Sequence, residues 1–114
     1  MNIEEFREYC LNKKGVSEEF PFDEDTLVFK VMGKMFALTG LDGDFRINLK
    51  CDQEKAIELR EKYSYIIPGY HMNKNHWNTI IVKECDNITL LKQLIDHSYE
   101  LVVSGLTIKQ RDTL

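Results

Sequence analysis

The sequence predicts a small α+β domain in which an antiparallel meander sheet carries helices on one face. Helical and strand periodicities follow one another along the 114 residues in the order α-β-β-β-α-β-α. Residues 45–50 alternate cleanly between apolar and polar side chains, which is typical of a strand with one solvated face. The first and last predicted helices each carry one apolar stripe. A chain of this length fits one domain, residues 1–114, with one core.

The first helix is predicted over residues 3–13. Asn2 and Glu5 have the spacing of a capping box, and Gly15 follows the last turn as a helix terminator. The acidic loop that comes next, SEEFPFDED, contains a proline and predicts no regular structure. We expect its Phe20 and Phe22 to pack under the sheet.

Three strands are predicted next, over residues 26–31, 34–39 and 45–50, with turns at Gly33 and at residues 40–44. The alternation in the third strand predicts that Phe45, Ile47 and Leu49 face the core and that Arg46, Asn48 and Lys50 face solvent.

A second helix is predicted over residues 53–63, with Asp52 as its N-cap. An irregular loop then leads to a strand over residues 77–82. A third helix is predicted over residues 88–103, ending at the serine and glycine that follow it. With every helix on one face, the other face of the sheet is open to a partner.

The composition is that of an ordinary globular protein, 43% apolar and 30% charged. No segment approaches the roughly 20 apolar residues that a membrane span requires, so we expect no membrane partner. MNIEEFREYC does not resemble a secretory signal, and three widely spaced cysteines predict neither a disulfide framework nor a metal clip. We therefore expect a cytoplasmic protein; the sequence leaves its oligomeric state open, a monomer included.

The net charge of −4 argues against a protein that coats nucleic acid by charge alone. Its distribution is uneven. Residues 26–83 carry nine bases against six acids, whereas both flanking segments are acidic. This is a weak indication of one positive surface.

The segment from Pro68 to Thr79 has the most unusual composition, with two histidines, the one tryptophan, a lysine and three asparagines, but no acid. Such residues offer hydrogen-bond donors, stacking surfaces and a positive charge, which suits contacts with phosphates and bases. The alternative interpretation is a loop in which Tyr70 and Trp77 are buried packing residues and the polar side chains are solvated.

This segment, PGYHMNKNHWNTI, resembles the signature of the MmcQ/YjbR family. Further similarities lie in the Glu19-Phe20-Pro21-Phe22 turn, in Gly33-Lys34-Met35-Phe36 and in Asn48-Leu49-Lys50-Cys51. The resemblance covers nearly the whole chain. It implies a fold of the frataxin/CyaY type and a DNA-binding protein.

The resemblance and the basic middle section together indicate one DNA-binding surface, formed by the solvated sheet face and the 70–77 loop. Lysines would contact phosphates, and an exposed ring of Tyr70 or Trp77 could stack on a base or sugar. The predicted site residues are Lys30, Lys34, Arg46, Lys50, Tyr70, His71, Asn73, Lys74, His76 and Trp77.

Other functions have less support. The same open face could serve a protein-interaction adaptor. The acidic loop could hold a hard cation weakly, but it lacks the spacing of a calcium loop. His71 and His76 have no third ligand nearby, so we expect no structural metal and no cofactor. No nucleophile motif, phosphate loop or carboxylate pair is present, so we expect no enzyme.

Overall fold

The computed structural model describes residues 1–69 and 72–114. In this part of the chain, six strands form one antiparallel sheet in the order β1-β2-β3-β4-β6-β5. The elements in chain order are α1 (Ile3–Leu11), β1 (Val16–Glu19), β2 (Thr26–Val31), β3 (Lys34–Gly40), β4 (Arg46–Lys50), α2 (Gln53–Lys62), β5 (Ile66–Pro68), β6 (Trp77–Ile81), α3 (Ile88–Ser104) and α4 (Ile108–Thr113). A short 3-10 helix, Val82–Glu84, follows β6.

The helix starts follow from local hydrogen bonds. Asn2 and Glu5 form the predicted capping box at α1, and Asp52 accepts the backbone N–H of Lys55 at 3.2 Å at the start of α2. The turn between β2 and β3 has positive φ angles at Met32 and Gly33, as a two-residue hairpin turn requires.

Seven predicted elements are present, with bounds that agree to within two residues. The short edge strands β1 and β5 lie in segments that were expected to be irregular, and the structure corrects this. The short 3-10 helix and the terminal helix α4 are also absent from the predicted order.

The helices pack on one face of the sheet, as predicted. Phe6 of α1 meets Phe29 of β2 edge to face, with ring centroids 5.4 Å apart. Ile47 and Leu49 of β4 are buried in the same core as Leu91 and Ile95 of α3. Burial of these aliphatic and aromatic side chains fixes the register of the sheet, because a slip of one residue would bring charges into the core.

The opposite face of the sheet has a separate and smaller apolar cluster, formed by Val28, Leu38 and Trp77. Arg46 is exposed on this face, and Asn48 and Lys50 are half-buried. The predicted alternation of β4 is therefore confirmed.

Candidate binding face of the sheet

The face of the sheet away from the helices is arranged in rows, because directly paired residues of antiparallel strands project to the same side. The middle row runs across all six strands. Its central members are Val28, Leu38, Asn48 and Thr79, with Glu19 at one edge and Ile67 at the other. On one side of it, Lys50 pairs with Trp77 and Lys30 with Met35. On the other side, Thr26 pairs with Gly40 and Arg46 with Ile81.

Four lysines lie at one end of this sheet, which we call the basic end. Lys30 and Lys50 lie at the C-terminal ends of strands β2 and β4. Lys34 is the first residue of β3, and Lys74 lies in the loop before β6. The Nζ of Lys30 is 3.1 Å from the carboxylate of Glu19. Among the described residues, Lys34, Lys50 and Lys74 form no ion pair. The sheet topology thus brings four predicted site residues from separate segments to one end of the sheet. Lys34, however, pairs with Val31 of the helix-side core, so it projects from the helix side of this end and not from the open face.

The loop that carries Lys74 is held by α2. Arg60 donates from Nε to the side-chain oxygen of Asn78 at 2.7 Å and from Nη2 to the backbone carbonyl of Lys74. The N–H of Cys51 also donates to the carbonyl of His76 at 2.8 Å. Arg60 is therefore a positioning residue for this loop. Sequence reasoning missed it, because a half-buried arginine on a helix has no pattern that distinguishes it from a solvated one.

Asn73 and His76 are exposed next to Lys74, as predicted for binding residues. The side-chain oxygen of Asn73 accepts the N–H of Asn75 at 2.9 Å, so this oxygen shapes the loop. Tyr70 and His71 lie outside the described residues. Their predicted roles stay predictions.

Trp77 is only 8% exposed. It packs with Val28 and Leu38, and Met35 and Met72 lie against the same cluster. The expectation that its ring is an exposed stacking surface is wrong, because the ring closes the apolar cluster on this face. The alternative interpretation of Trp77 as a packing residue matches the structure.

A groove of about 580 Å³ crosses the rest of this face. Leu38, Asn48 and Thr79 form its floor, and Phe22 and Met72 line it. The hydroxyl of Thr79 donates to the side-chain oxygen of Asn48. The floor is thus apolar in part, with its polar groups hydrogen-bonded to each other.

Phe20 and Phe22 do not pack under the sheet, contrary to expectation. They are 51% and 61% exposed. The helix-side core is already filled by Phe6, Phe29 and Phe36, all fully buried, so the acidic loop has no place there for two more rings. Phe22 instead borders the groove.

The far end of the groove, which we call the acidic end, is bordered by Asp23, Asp42, Asp44 and Arg46. Asp44 is 3.1 Å from Lys83 and 4.0 Å from Arg46. Arg46, a predicted DNA-binding residue, therefore lies next to acids at the end of the sheet opposite the four lysines. The structure does not bring it into their group.

Asp23 at the acidic end and Asp25, two residues further along the chain, have pKa values shifted in opposite directions. The pKa of Asp23 is lowered, because its carboxylate accepts hydrogen bonds from the backbone N–H of Asp25 and from the hydroxyl of Thr26. The pKa of Asp25 is raised, chiefly by the negative charge of Asp42. The carboxylates on the two sides of the hairpin base therefore repel each other.

The cysteines belong to the helix-side core and not to the open face. Cys10 and Cys51 are buried free thiols, and burial raises the pKa of Cys10 to about 12 and that of Cys51 to about 11. Such thiols are unreactive at neutral pH. Within residues 1–69 and 72–114, no three His, Cys, Asp or Glu side chains are grouped so that they could hold a metal ion.

Comparisons with known proteins fix the family. A sequence model of the YjbR family matches residues 11–101. The chain belongs to the YjbR family. The Escherichia coli K12 protein YjbR is 30% identical over 115 residues, covering the whole of this chain and 98% of its own length. YbdF of Escherichia coli O157:H7 is 44% identical over 88 residues, 76% of this chain and 72% of that protein.

The fold is shared with a crystal structure of the Deinococcus radiodurans protein DR2400, a DUF419 domain. The TM-score is 0.91 at 39% identity, covering 98% of this chain and 86% of that one. These names state no ligand or activity, so the comparisons establish family and fold. None of the helices in the described part of the chain is long and apolar enough to span a membrane.

Proposed function

We propose that this YjbR-family protein binds DNA weakly through the basic end of its sheet, with Lys30 and Lys50 on the open face and Lys34 and Lys74 at its edge. One observation carries the proposal: Lys30, Lys34, Lys50 and Lys74 come from separate segments to the same end of the sheet. The described carboxylates of the groove lie at the opposite end. A net negative chain can still attract a phosphate backbone when its charges are separated in this way.

The contacts that this surface offers are phosphate contacts. A lysine ammonium is a point charge that neutralises a phosphate without reading the base sequence. Four lysines correspond to a salt slope, in log affinity against log salt, of at most about −3.6, at roughly 0.9 per phosphate. Because Lys30 already pairs with Glu19, we expect a slope closer to about −3.

The role proposed is binding and not catalysis, in a cytoplasmic protein. Asn73 and His76 flank Lys74 in the loop that Arg60 anchors, and they would add hydrogen bonds to the same phosphates. The exposed position of Lys74 makes it the residue to test.

The test is a fluorescence-anisotropy titration of two labelled duplexes of unrelated sequence with wild type and Lys74→Glu. Reversing this charge should weaken binding by about tenfold or more at low salt, to a similar extent for both duplexes. Lys92→Glu is the matched control, since Lys92 is exposed on α3, which packs on the opposite face of the sheet. The proposal would be refuted if wild type did not bind DNA at low salt, or if the two variants lost the same amount of affinity.

A protein-interaction adaptor is the second candidate. The exposure of Phe22 in the lining of the groove and of Phe20 in the same loop favours it. An interface centred on these rings would be largely insensitive to salt, whereas phosphate binding weakens steeply. The same titration at two salt concentrations therefore separates the two candidates.

A further inference from the structure

We propose that the groove between Phe22 and the acidic end binds a small amphipathic cation, an apolar or aromatic body that carries an amine. The proposal concerns a different part of the open face from the phosphate-binding lysines. It does not depend on DNA binding.

The size and lining of the groove set the body of the ligand. A volume of about 580 Å³ lies within the range of small-molecule sites, roughly 300–1,000 Å³. Phe22 exposes most of its ring here, with Leu38 beneath and Met72 also in the lining. Methionine adapts its shape to aromatic surfaces, so these three side chains suit a planar apolar group.

The charge at the end of the groove sets the head group of the ligand. Three aspartates and one arginine border the groove, which leaves an excess of negative charge there. Asp44 is engaged by Lys83, and Asp23 accepts local hydrogen bonds. The side chain of Asp42 faces another carboxylate, that of Asp25, and pairs with no described base, so Asp42 is the carboxylate best able to meet a cation.

The repulsion between Asp42 and a neighbouring carboxylate also favours Asp42 as the cation-binding residue. The pKa of Asp25 is raised chiefly by the charge of Asp42, so the two carboxylates are close enough to affect each other. An ammonium group beside Asp42 would reduce this repulsion. A metal ion would need several converging ligands, and among the residues that the structure describes no such group is found.

The experiment is an amide NMR titration of the whole protein with tryptamine, which combines an indole body with a primary amine. We expect saturable shifts at Leu38, Gly40, Asn48 and Thr79, with a dissociation constant in about the millimolar range for a ligand of this size. Two control compounds test the two halves of the ligand separately. Indole-3-propionate keeps the body and reverses the charge, and putrescine keeps the charge without the body.

Asp42→Asn should weaken tryptamine binding by about three- to fivefold, the effect of removing one charge near the protein surface. Glu84→Gln removes the same charge from an exposed position outside the groove and should have no effect. Lys74→Glu should also have no effect, so that loss of DNA binding and loss of amine binding are separate results.

Shifts that map outside the groove would overturn the proposal, as would equal binding of indole-3-propionate or putrescine. Equal affinities of Asp42→Asn and Glu84→Gln would do the same. Each of these results is distinguishable from a folding defect, because the amide spectrum reports the fold in the same experiment.

Discussion

The backbone N–H of Lys50 donates a hydrogen bond to the side-chain oxygen of Ser98 at 2.9 Å. Ser98 is fully buried on α3, and its hydroxyl donates in turn to the carbonyl of Phe36 on β3. One helix side chain thus bridges two neighbouring strands, and it fixes the strand end from which Lys50 reaches the open face.

Ser98→Ala should destabilise the fold by about 1–3 kcal/mol, because it leaves the N–H of Lys50 and the carbonyl of Phe36 buried without this partner. Urea unfolding followed by the fluorescence of the single tryptophan measures it. Ser104→Ala is the control on the same helix. Ser104 is exposed, and its change should stay within about 0.5 kcal/mol. Equal losses in the two variants would show that the bridge contributes nothing.

Gly69→Ala should also destabilise the protein. A Cβ at this position would lie 2.8 Å from the Cβ of Trp77 and 3.0 Å from its carbonyl oxygen, so strand β6 would have to shift. The cost expected for such overpacking is about 1–3 kcal/mol. Gly40→Ala is the control, since its nearest neighbour would be 3.9 Å away. Thermal unfolding of both variants measures the loss of stability. Equal melting temperatures would contradict the prediction that the close approach at Gly69 excludes a side chain.

Most of the fold is predictable because it depends on local patterns. The capping pair Asn2 and Glu5 and the alternation around Ile47 can be read directly from neighbouring residues. The strands β1 and β5 are not predictable in this way. They have four and three residues, and they exist because β2 and β6 offer unpaired edges to them. Such pairing is a tertiary effect that a short segment does not encode.

The candidate site was predictable in its lysines and not in its shape. Lys30, Lys34, Lys50 and Lys74 group at one end because antiparallel strands alternate in direction, which follows from the predicted meander. The burial of Trp77 and the exposure of Phe22 depend on how much room each face leaves. Residue type alone therefore predicts the wrong environment for both rings.

The stability of the protein should fall as the pH is lowered below about 6.5, with His97 as one cause. Burial and then the charge of Lys55 lower the pKa of His97 in the folded state, and its Nε2 accepts the N–H of Asp52 at 3.3 Å. The unfolded chain, with a histidine pKa near 6.5, takes up the proton first. Protonation therefore favours unfolding in the window from about 6.5 downward.

Urea unfolding midpoints between pH 7.5 and 5 measure this effect, with His97→Gln as the comparison. Glutamine keeps an acceptor for the N–H of Asp52 but does not titrate. The pH dependence of the variant should therefore be shallower than that of wild type, because the carboxylates are common to both. Parallel curves would show that His97 does not contribute.

The last prediction concerns the carboxylates at the acidic end of the groove. Asp42→Asn should lower the pKa of Asp25 toward its ordinary value, because the largest cause of its raised pKa is the charge of Asp42. Carboxyl-carbon NMR titration resolves the two neighbours separately. The pKa of Asp23 should stay low in the variant, since hydrogen bonds from Asp25 and Thr26 hold it there. A bound cation at Asp42 should act in the same direction as the substitution, because it offsets the same charge. Saturating tryptamine should therefore lower the pKa of Asp25 in wild type. An unchanged pKa of Asp25 in the variant would mean that the two carboxylates are not coupled.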